Sequence, residues 1–323
     1  MKKRIISAII FGLIFFPAIY FGGIYFLIVS VFCGALATYE LMNMFYKKMP
    51  ALKIMRFIVP AFSVYLILLL YMYENRVDCF YFYFDGNHLA LIKDATMNEN
   101  LHFMYLGLIA GSFMIFTFIF MLFTVFKKEA SAHDLMACLL SITYGGVFFG
   151  AAFSIEYFIP ISYVGAGNRW GGQVFVYVYG VVCLTDIFAY LIGSKFGHHK
   201  LCPHISPKKS VEGAVGGMLV AGTVGTLIAW LCGLMPISKD SGTVQIATII
   251  IAFLLMSFVL SFVSQIGDLI ASRLKRTYEI KDFGYIMPGH GGILDRFDSF
   301  ILAGSFMYLF ALISKFIFLG LGL

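Results

Sequence analysis

The chain has 323 residues, 61% of them apolar and only 12% charged, with a formal net charge of +6 and a mean hydropathy of +0.91. A soluble domain is about a quarter charged and under half apolar, so an ordinary soluble enzyme is excluded. The excess of positive charge lies in the segments between apolar runs, where it reads as topology signal and attraction to anionic lipid heads.

Apolar runs long enough to cross a hydrocarbon core of about 30 Å as helices follow one another from end to end, leaving no soluble domain of useful size. Nine spans are expected, at 5–20, 24–46, 57–73, 102–126, 135–158, 173–193, 214–235, 244–267 and 299–320. The fold class expected is therefore an all-α integral membrane protein, a bundle of about nine transmembrane helices. Lys2, Lys3 and Arg4 before the first run suggest a secretory signal, but Phe21, Gly22 and Gly23 lead at once into the second run with no clear cleavage site. The first run is read as a retained helix paired with the next. Of 23 basic residues, 18 fall at 2–4, 47–56, 127–128, 195–209 and 273–296, which alternate to one side in this layout. Arg76, Lys93, Arg169 and Lys239 fall on the other, and Lys315 lies in the last span. The N-terminus is expected in the cytoplasm and the C-terminus outside.

Two regions differ in character. Residues 1–170 form an N-terminal transmembrane region, rich in Phe, Tyr and Leu, whose expected role is packing and lipid contact. Its 74–101 loop, with Glu74, Asp78, Asp85, Asp94 and Glu99, reads as acidic, external and solvated, without a catalytic role. No internal repeat of the kind many transporters carry is evident. Cys33, Cys79, Cys138, Cys183, Cys202 and Cys232 are scattered without a Cys-x-x-Cys pair and read as small buried apolar residues. Gly145-Gly146, Gly171-Gly172 and Gly216-Gly217, near span ends, suit close helix approach and need no ligand.

Residues 171–323 form the C-terminal, catalytic region, with cytoplasmic loops at 194–213 and 271–298. Asp186 in span six, Asp268 at the end of span eight, and Asp295 and Asp298 at the start of span nine lie near one membrane face. Carboxylates at such depths are usually paired, metal-bound or functional. The 272–298 segment packs basic and acidic residues among Gly289, Gly291 and Gly292, which let a bulky anion approach main-chain amides. Asp295 and Asp298 are three apart, on one face if the helix begins there. With Asp268 they form a set of hard oxygen donors suited to Mg2+ and substrate phosphates, and Lys275, Arg276, Lys281 and Arg296 can neutralise phosphate oxygens. Simpler readings stand beside these: Asp186 as a hydroxyl-bonded buried acid, Asp268 as a helix-end cap, and Lys208 and Lys209 as topology charge. His290 can be a loop histidine, a phosphate ligand or a general acid, and His198 and His199 read as solvated.

The 272–298 segment resembles the hallmark of the phosphatidate cytidylyltransferase family, which runs Ser, two residues, Lys-Arg, four residues, Lys-Asp, then His-Gly-Gly, two residues, Asp-Arg, one residue, Asp. Ser272, Lys275, Arg276, Lys281, Asp282, Gly284, Pro288, His290, Gly291, Gly292, Asp295, Arg296 and Asp298 fill it, with Met287 where Leu, Ile or Phe is usual. Upstream, TDIFAYLIGSKFGHHKL at 185–201 and ISPKKSVEG at 205–213 resemble a second family stretch, Val211 standing where the family usually has Trp. The first half matches only in being hydrophobic.

The resemblance implies attack of a phosphatidate oxygen on the α-phosphate of CTP, giving CDP-diacylglycerol and pyrophosphate for phospholipid synthesis. It implies Mg2+, with room for a second cation, held by Asp268, Asp295, Asp298 and Asp186. It implies Lys275, Arg276, Lys281, Asp282, His290 and Arg296 in the catalytic set, and Ser206, Lys208, Lys209, Glu212, Gly291 and Gly292 against substrate. The expected setting is the cell (inner) membrane with the site on the cytoplasmic face, no nucleic acid, and a homodimer. The rivals are a CTP-dependent lipid or polyprenol kinase and, less favoured, an ion or lipid-phosphate transporter.

Overall fold

The structure, a computed structural model, describes residues 2–74, 81–85, 88–92, 98–157, 170–237, 242–287, 289 and 291–320. Its helices are α1 (Lys2–Phe21), α2 (Gly23–Tyr46), α3 (Met55–Glu74), α4 (Asn98–Phe126), α5 (Ala132–Ser141), α6 (Phe149–Ser154), α7 (Trp170–Phe196), α8 (Val211–Leu231), α9 (Thr243–Thr277) and α10 (Leu294–Gly320). A π-helical stretch, Ile142–Phe148, joins α5 to α6, and a 3-10 turn, Ile155–Tyr157, follows α6. Among the described residues, eight helical stretches are long and apolar enough to cross a membrane, with Ala132–Tyr157 counting as one. Of α1, Ile9–Phe21 is a shorter apolar helix. The protein is thus an all-α, multi-pass integral membrane protein.

Three boundaries differ from the sequence reading. First, α9 continues ten residues past the expected end at 267, because Ala271 and Leu274 extend its packed face and Arg273, Lys275 and Arg276 suit a helix C-terminus. Second, α10 begins at Leu294, not 299, so the connecting loop shrinks to 278–293. Third, the 194–213 segment holds an antiparallel hairpin, β3 (Lys200–Cys202) with β4 (Ser206–Ser210), pairing Lys200 with Ser210. The Ser210 hydroxyl accepts from Gly213 N at 3.2 Å and caps α8. A second hairpin, β1 (Tyr81–Asp85) with β2 (His88–Ile92), occupies the loop after α3. Glu74 is not in that solvated loop. It is buried at the end of α3 and accepts the Tyr308 hydroxyl at 2.7 Å. Arg76, Cys79, Lys93, Arg169 and Lys239 lie outside the described residues.

Helix association in a bilayer depends on close packing and interhelical hydrogen bonds, because lipid is as apolar as Leu. Both are concentrated around the start of α10. Phe15, Phe26, Phe149, Phe153, Phe175, Phe297 and Phe300 interlock at centroid distances such as 4.4 Å for Phe149–Phe153 and 5.0 Å for Phe175–Phe300. They join α1, α2, α6, α7 and α10, and contacts of this kind contribute about 0.5–1.5 kcal/mol each. Between α7 and α9, Tyr177 Oη pairs with Ser257 Oγ and Thr185 Oγ1 donates to Ser261 Oγ, both at 2.7 Å. These buried hydroxyls fix the register of the two helices and bring Asp186 toward Asp268.

Small residues let the other pairs close. A Cβ on Gly217 would stand 2.9 Å from Ala189 N and Thr185 O, so α8 lies directly on the α7 backbone. In the π-helical stretch, Gly145 faces Thr38 on α2 and Gly146 faces Ser63 on α3, the close approach the sequence suggested, though in the middle of the Ala132–Tyr157 span and not near its end. Cys33 and Cys138 are buried, and Cys183, Cys202 and Cys232 are partly so, all with free thiols.

Candidate active site

Three elements converge where α9 ends and α10 begins. The C-terminal part of α9 carries Asp268, Ser272, Lys275 and Arg276, while the first turn of α10 carries Asp295 and Asp298. Strand β4 presents Lys208 and Lys209. The helical spacing from Asp268 through Ser272 to Lys275 puts all three on one face, and the Ser272 hydroxyl donates to Asp268 Oδ1 at 3.2 Å.

Each aspartate has its own surroundings. Asp268 is ion-paired with Lys209, both side chains about a quarter exposed. Asp295 is 4% exposed and fully engaged: Oδ1 faces Lys275 Nζ at 3.0 Å, and Oδ2 accepts Phe283 N at 2.8 Å and Gly292 N at 3.0 Å. It therefore ties the loop to the helix start. Asp298 accepts Ser299 N through Oδ1 at 2.8 Å and turns Oδ2 toward Lys275 at 3.7 Å. The Lys275 ammonium thus lies between two carboxylates one turn apart. Asp186, on α7, is exposed, lies near Ser299, and feels the charges of Asp268 and Lys209. From the first half of the chain, the buried Tyr144 hydroxyl donates to the Asp298 carbonyl at 3.3 Å.

The loop is built for close approach. Gly289 and Gly291 have φ of +81° and +86°, conformations that favour glycine, and a Cβ on Gly291 would stand 2.9 Å from Asp295 Oδ2. Asp282 lies beside Gly291, and Lys281 is exposed. Pro288 and His290 lie outside the described residues.

The other expected residues fall on the rim. Lys208 and Arg296 are exposed, and Ser206 opens β4. Exposed Arg276 donates from Nε to Ile205 O at 3.3 Å, which holds the hairpin against α9. Glu212 accepts His199 N at 3.1 Å and meets His199 Nδ1 at 2.6 Å. His199, expected to be merely solvated, is therefore tied to α8 by its main chain and its ring. Glu212 in this state organises the hairpin base.

The donor chemistry suits a hard divalent cation. Four carboxylates, Asp186, Asp268, Asp295 and Asp298, gather with Lys209 and Lys275 at the edge of an apolar bundle. Among the described residues no three His, Cys, Asp or Glu side chains form a ready-made metal cage. Mg2+ commonly takes one or two carboxylates and completes its shell with water and substrate phosphates, so an open set of this kind fits it.

One residue that holds this arrangement had no role in the sequence reading. Glu40, on α2, accepts Ile293 N at 3.1 Å and Leu294 N at 2.9 Å at the start of α10. The signal was present as an acid inside an apolar span.

The model of the family described as "Cytidylyltransferase family" matches residues 2–314. Phosphatidate cytidylyltransferase of Bacillus subtilis (strain 168) is 30% identical over 308 residues, covering 95% of this chain and 96% of that protein. The protein of the same name from Staphylococcus haemolyticus is 32% identical over 302 residues, 93% of this chain and 95% of that one. The Staphylococcus aureus (strain COL) protein is 31% identical over 303 residues, with the same coverage. With a match that begins at the first helix and runs into the last, the chain belongs to the cytidylyltransferase family.

Proposed function

We propose that this protein transfers the cytidylyl group of CTP to phosphatidate, the reaction for which its relatives are named. The observation that carries the reading is the meeting of Lys209, Asp268, Lys275, Asp295 and Asp298 from three elements at one end of the bundle. A phosphatidate oxygen forms a bond to the α-phosphorus of CTP, the bond from that phosphorus to the β-phosphate bridge breaks, and pyrophosphate leaves with the electron pair. A phosphate monoester is largely ionised near neutral pH, its second pKa being about 6, so no general base is needed.

The chain's contribution is charge and position. Lys275, held between Asp295 and Asp298, and Lys209, held by Asp268, are ammonium groups fixed before substrate arrives. Lys208, Lys281, Arg276 and Arg296 on the rim offset the charge of two anionic substrates, Arg by two-pronged contact and Lys as a point charge. Gly291 and Gly292, expected against substrate, instead let the loop close on Asp295 and Glu40, the Gly292 N–H being already given to Asp295 Oδ2. We assign Mg2+, with room for a second cation, to Asp186, Asp268 and Asp298, with Asp295 at the edge of the set. When bound, such an ion neutralises phosphate oxygens as negative charge moves to the leaving group.

The basic loops support a cytoplasmic face for this site in a bacterial inner membrane, where CTP is available. A homodimer belongs to the same proposal, and light scattering of the detergent-solubilised protein tests it. Turnover of purified protein with phosphatidic acid, labelled CTP and Mg2+ tests the reaction. CDP-diacylglycerol with pyrophosphate supports it, whereas CDP with a phosphorylated lipid points to a kinase. No CTP consumption by well-folded protein rejects both.

A further inference from the structure

Glu40 is 3% exposed within an apolar span, where an acid is costly to keep. Its two oxygens take Ile293 N and Leu294 N, while Asp295 Oδ2 takes Gly292 N. Three successive N–H groups leading into α10 are therefore captured by two carboxylates, one from each half of the chain. A negative charge also suits the positive end of a helix. Gly284 and Gly292 face Glu40 so closely that a Cβ on either would collide with its carboxylate.

The same helix grips the other flank of the loop. Phe45 meets the Tyr278 ring edge-on at 4.9 Å between centroids. Lys48, just beyond α2, reaches Thr277 O and Glu279 Oε1, each at 3.4 Å. One segment of the first half thus touches the loop at its entry, through Gly284 along its course, and at its exit.

We propose that Glu40 is a positioning residue for the reaction: by fixing the N-terminus of α10 it sets Asp295 and Asp298 against Lys275 and Asp268. This rests on the cytidylyl-transfer reading of the site. A Ser, Asn or Asp cap would satisfy a helix start locally. An acid supplied from another helix instead makes the geometry of the carboxylate cluster depend on how α2 packs.

The test uses the full-length protein in detergent, comparing wild type with Glu40→Gln and Glu40→Asp. Steady-state kinetics with phosphatidic acid and CTP are measured across Mg2+ concentrations, and hydrogen exchange is followed in the 284–297 segment. For Glu40→Gln we expect a folded protein whose kcat falls about ten- to hundredfold, the range set by small misplacements of reacting groups. The KM for CTP should change little, the Mg2+ requirement should rise, and the Ile293 and Leu294 amides should exchange faster. Glu40→Asp, which keeps the carboxyl group but is one methylene shorter, should recover part of the rate.

Wild-type kcat with unchanged exchange at Ile293 and Leu294 overturns the proposal. So does a loss of activity that merely tracks the loss of folded protein, the survivors turning over at the wild-type rate. If Glu40→Gln does not fold, the same two readouts on Glu40→Asp decide. Faster exchange in the variants, beside a wild-type protein that consumes no CTP, rejects the reaction while leaving the capping geometry intact.

Discussion

Asp295 and Asp298 lie one turn apart on α10 and face the same lysine, yet their surroundings assign them different work. Asp295 spends Oδ2 on two loop N–H groups, whereas Asp298 accepts only from its helix neighbour Ser299 and keeps Oδ2 toward Lys275. Replacing Asp268 or Asp298 by Ala should therefore lower turnover by about a hundredfold or more, with little change in loop protection. Asp295→Ala should lower turnover and also speed exchange at Phe283 and Gly292, which mass spectrometry can separate from the first effect. Away from the site, Tyr308→Phe removes the hydroxyl that reaches Glu74. A loss of about 1 kcal/mol is expected, read as a lower midpoint in thermal unfolding, with turnover per folded molecule unchanged. The aspartates, lysines and glycines of the site were legible because their spacing is dense and unlike a simple turn. Glu40 and Glu74 were not, because an isolated acid in an apolar run carries no partner in its own neighbourhood; their partners lie 253 and 234 residues away.

At the scale of elements, hydropathy located the spans well because the bilayer dictates length and composition together. It missed the ends of α9 and α10, where polar residues continue the helix outside the apolar window. It also missed β3–β4, since Lys200–Ser210 has little hydrophobic alternation and its hairpin is held by Arg276, Glu212 and the Ser210 cap. The hairpin matters because it delivers Lys209 to Asp268, and it emerges between α7 and α8. Those helices meet through Gly217, so Gly217→Val should force them apart. The expected result is a lower unfolding midpoint together with weaker turnover, as Asp186 and Lys209 shift relative to Asp268. A variant that keeps full activity at an unchanged midpoint would contradict the close packing of this pair. The π-helical stretch, invisible to a 3.6-residue period, is the corresponding device in the first half: it brings Tyr144 beneath Asp298.

For the whole molecule, the basic segments make a directional prediction. Single cysteines placed at Lys128, Lys200 and Lys281, in a background without native cysteines, should react with an impermeant maleimide in inverted vesicles and not in right-side-out ones. The opposite pattern would reverse the proposed orientation. Helix α9 is 35 residues long, which at about 1.5 Å per residue exceeds the roughly 30 Å hydrocarbon core. From Thr243 to Asp268 alone it rises about 38 Å, and about 35 Å with an ordinary tilt of about 20°. A span of that rise is long enough to bring the carboxylates level with the headgroups of a leaflet, where a phosphatidate phosphate already resides. The lipid can react without being lifted out of its leaflet, which avoids exposing its tails to water at about 0.8 kcal/mol per methylene. Its acyl chains can remain among their neighbours throughout, with only the headgroup drawn into the site.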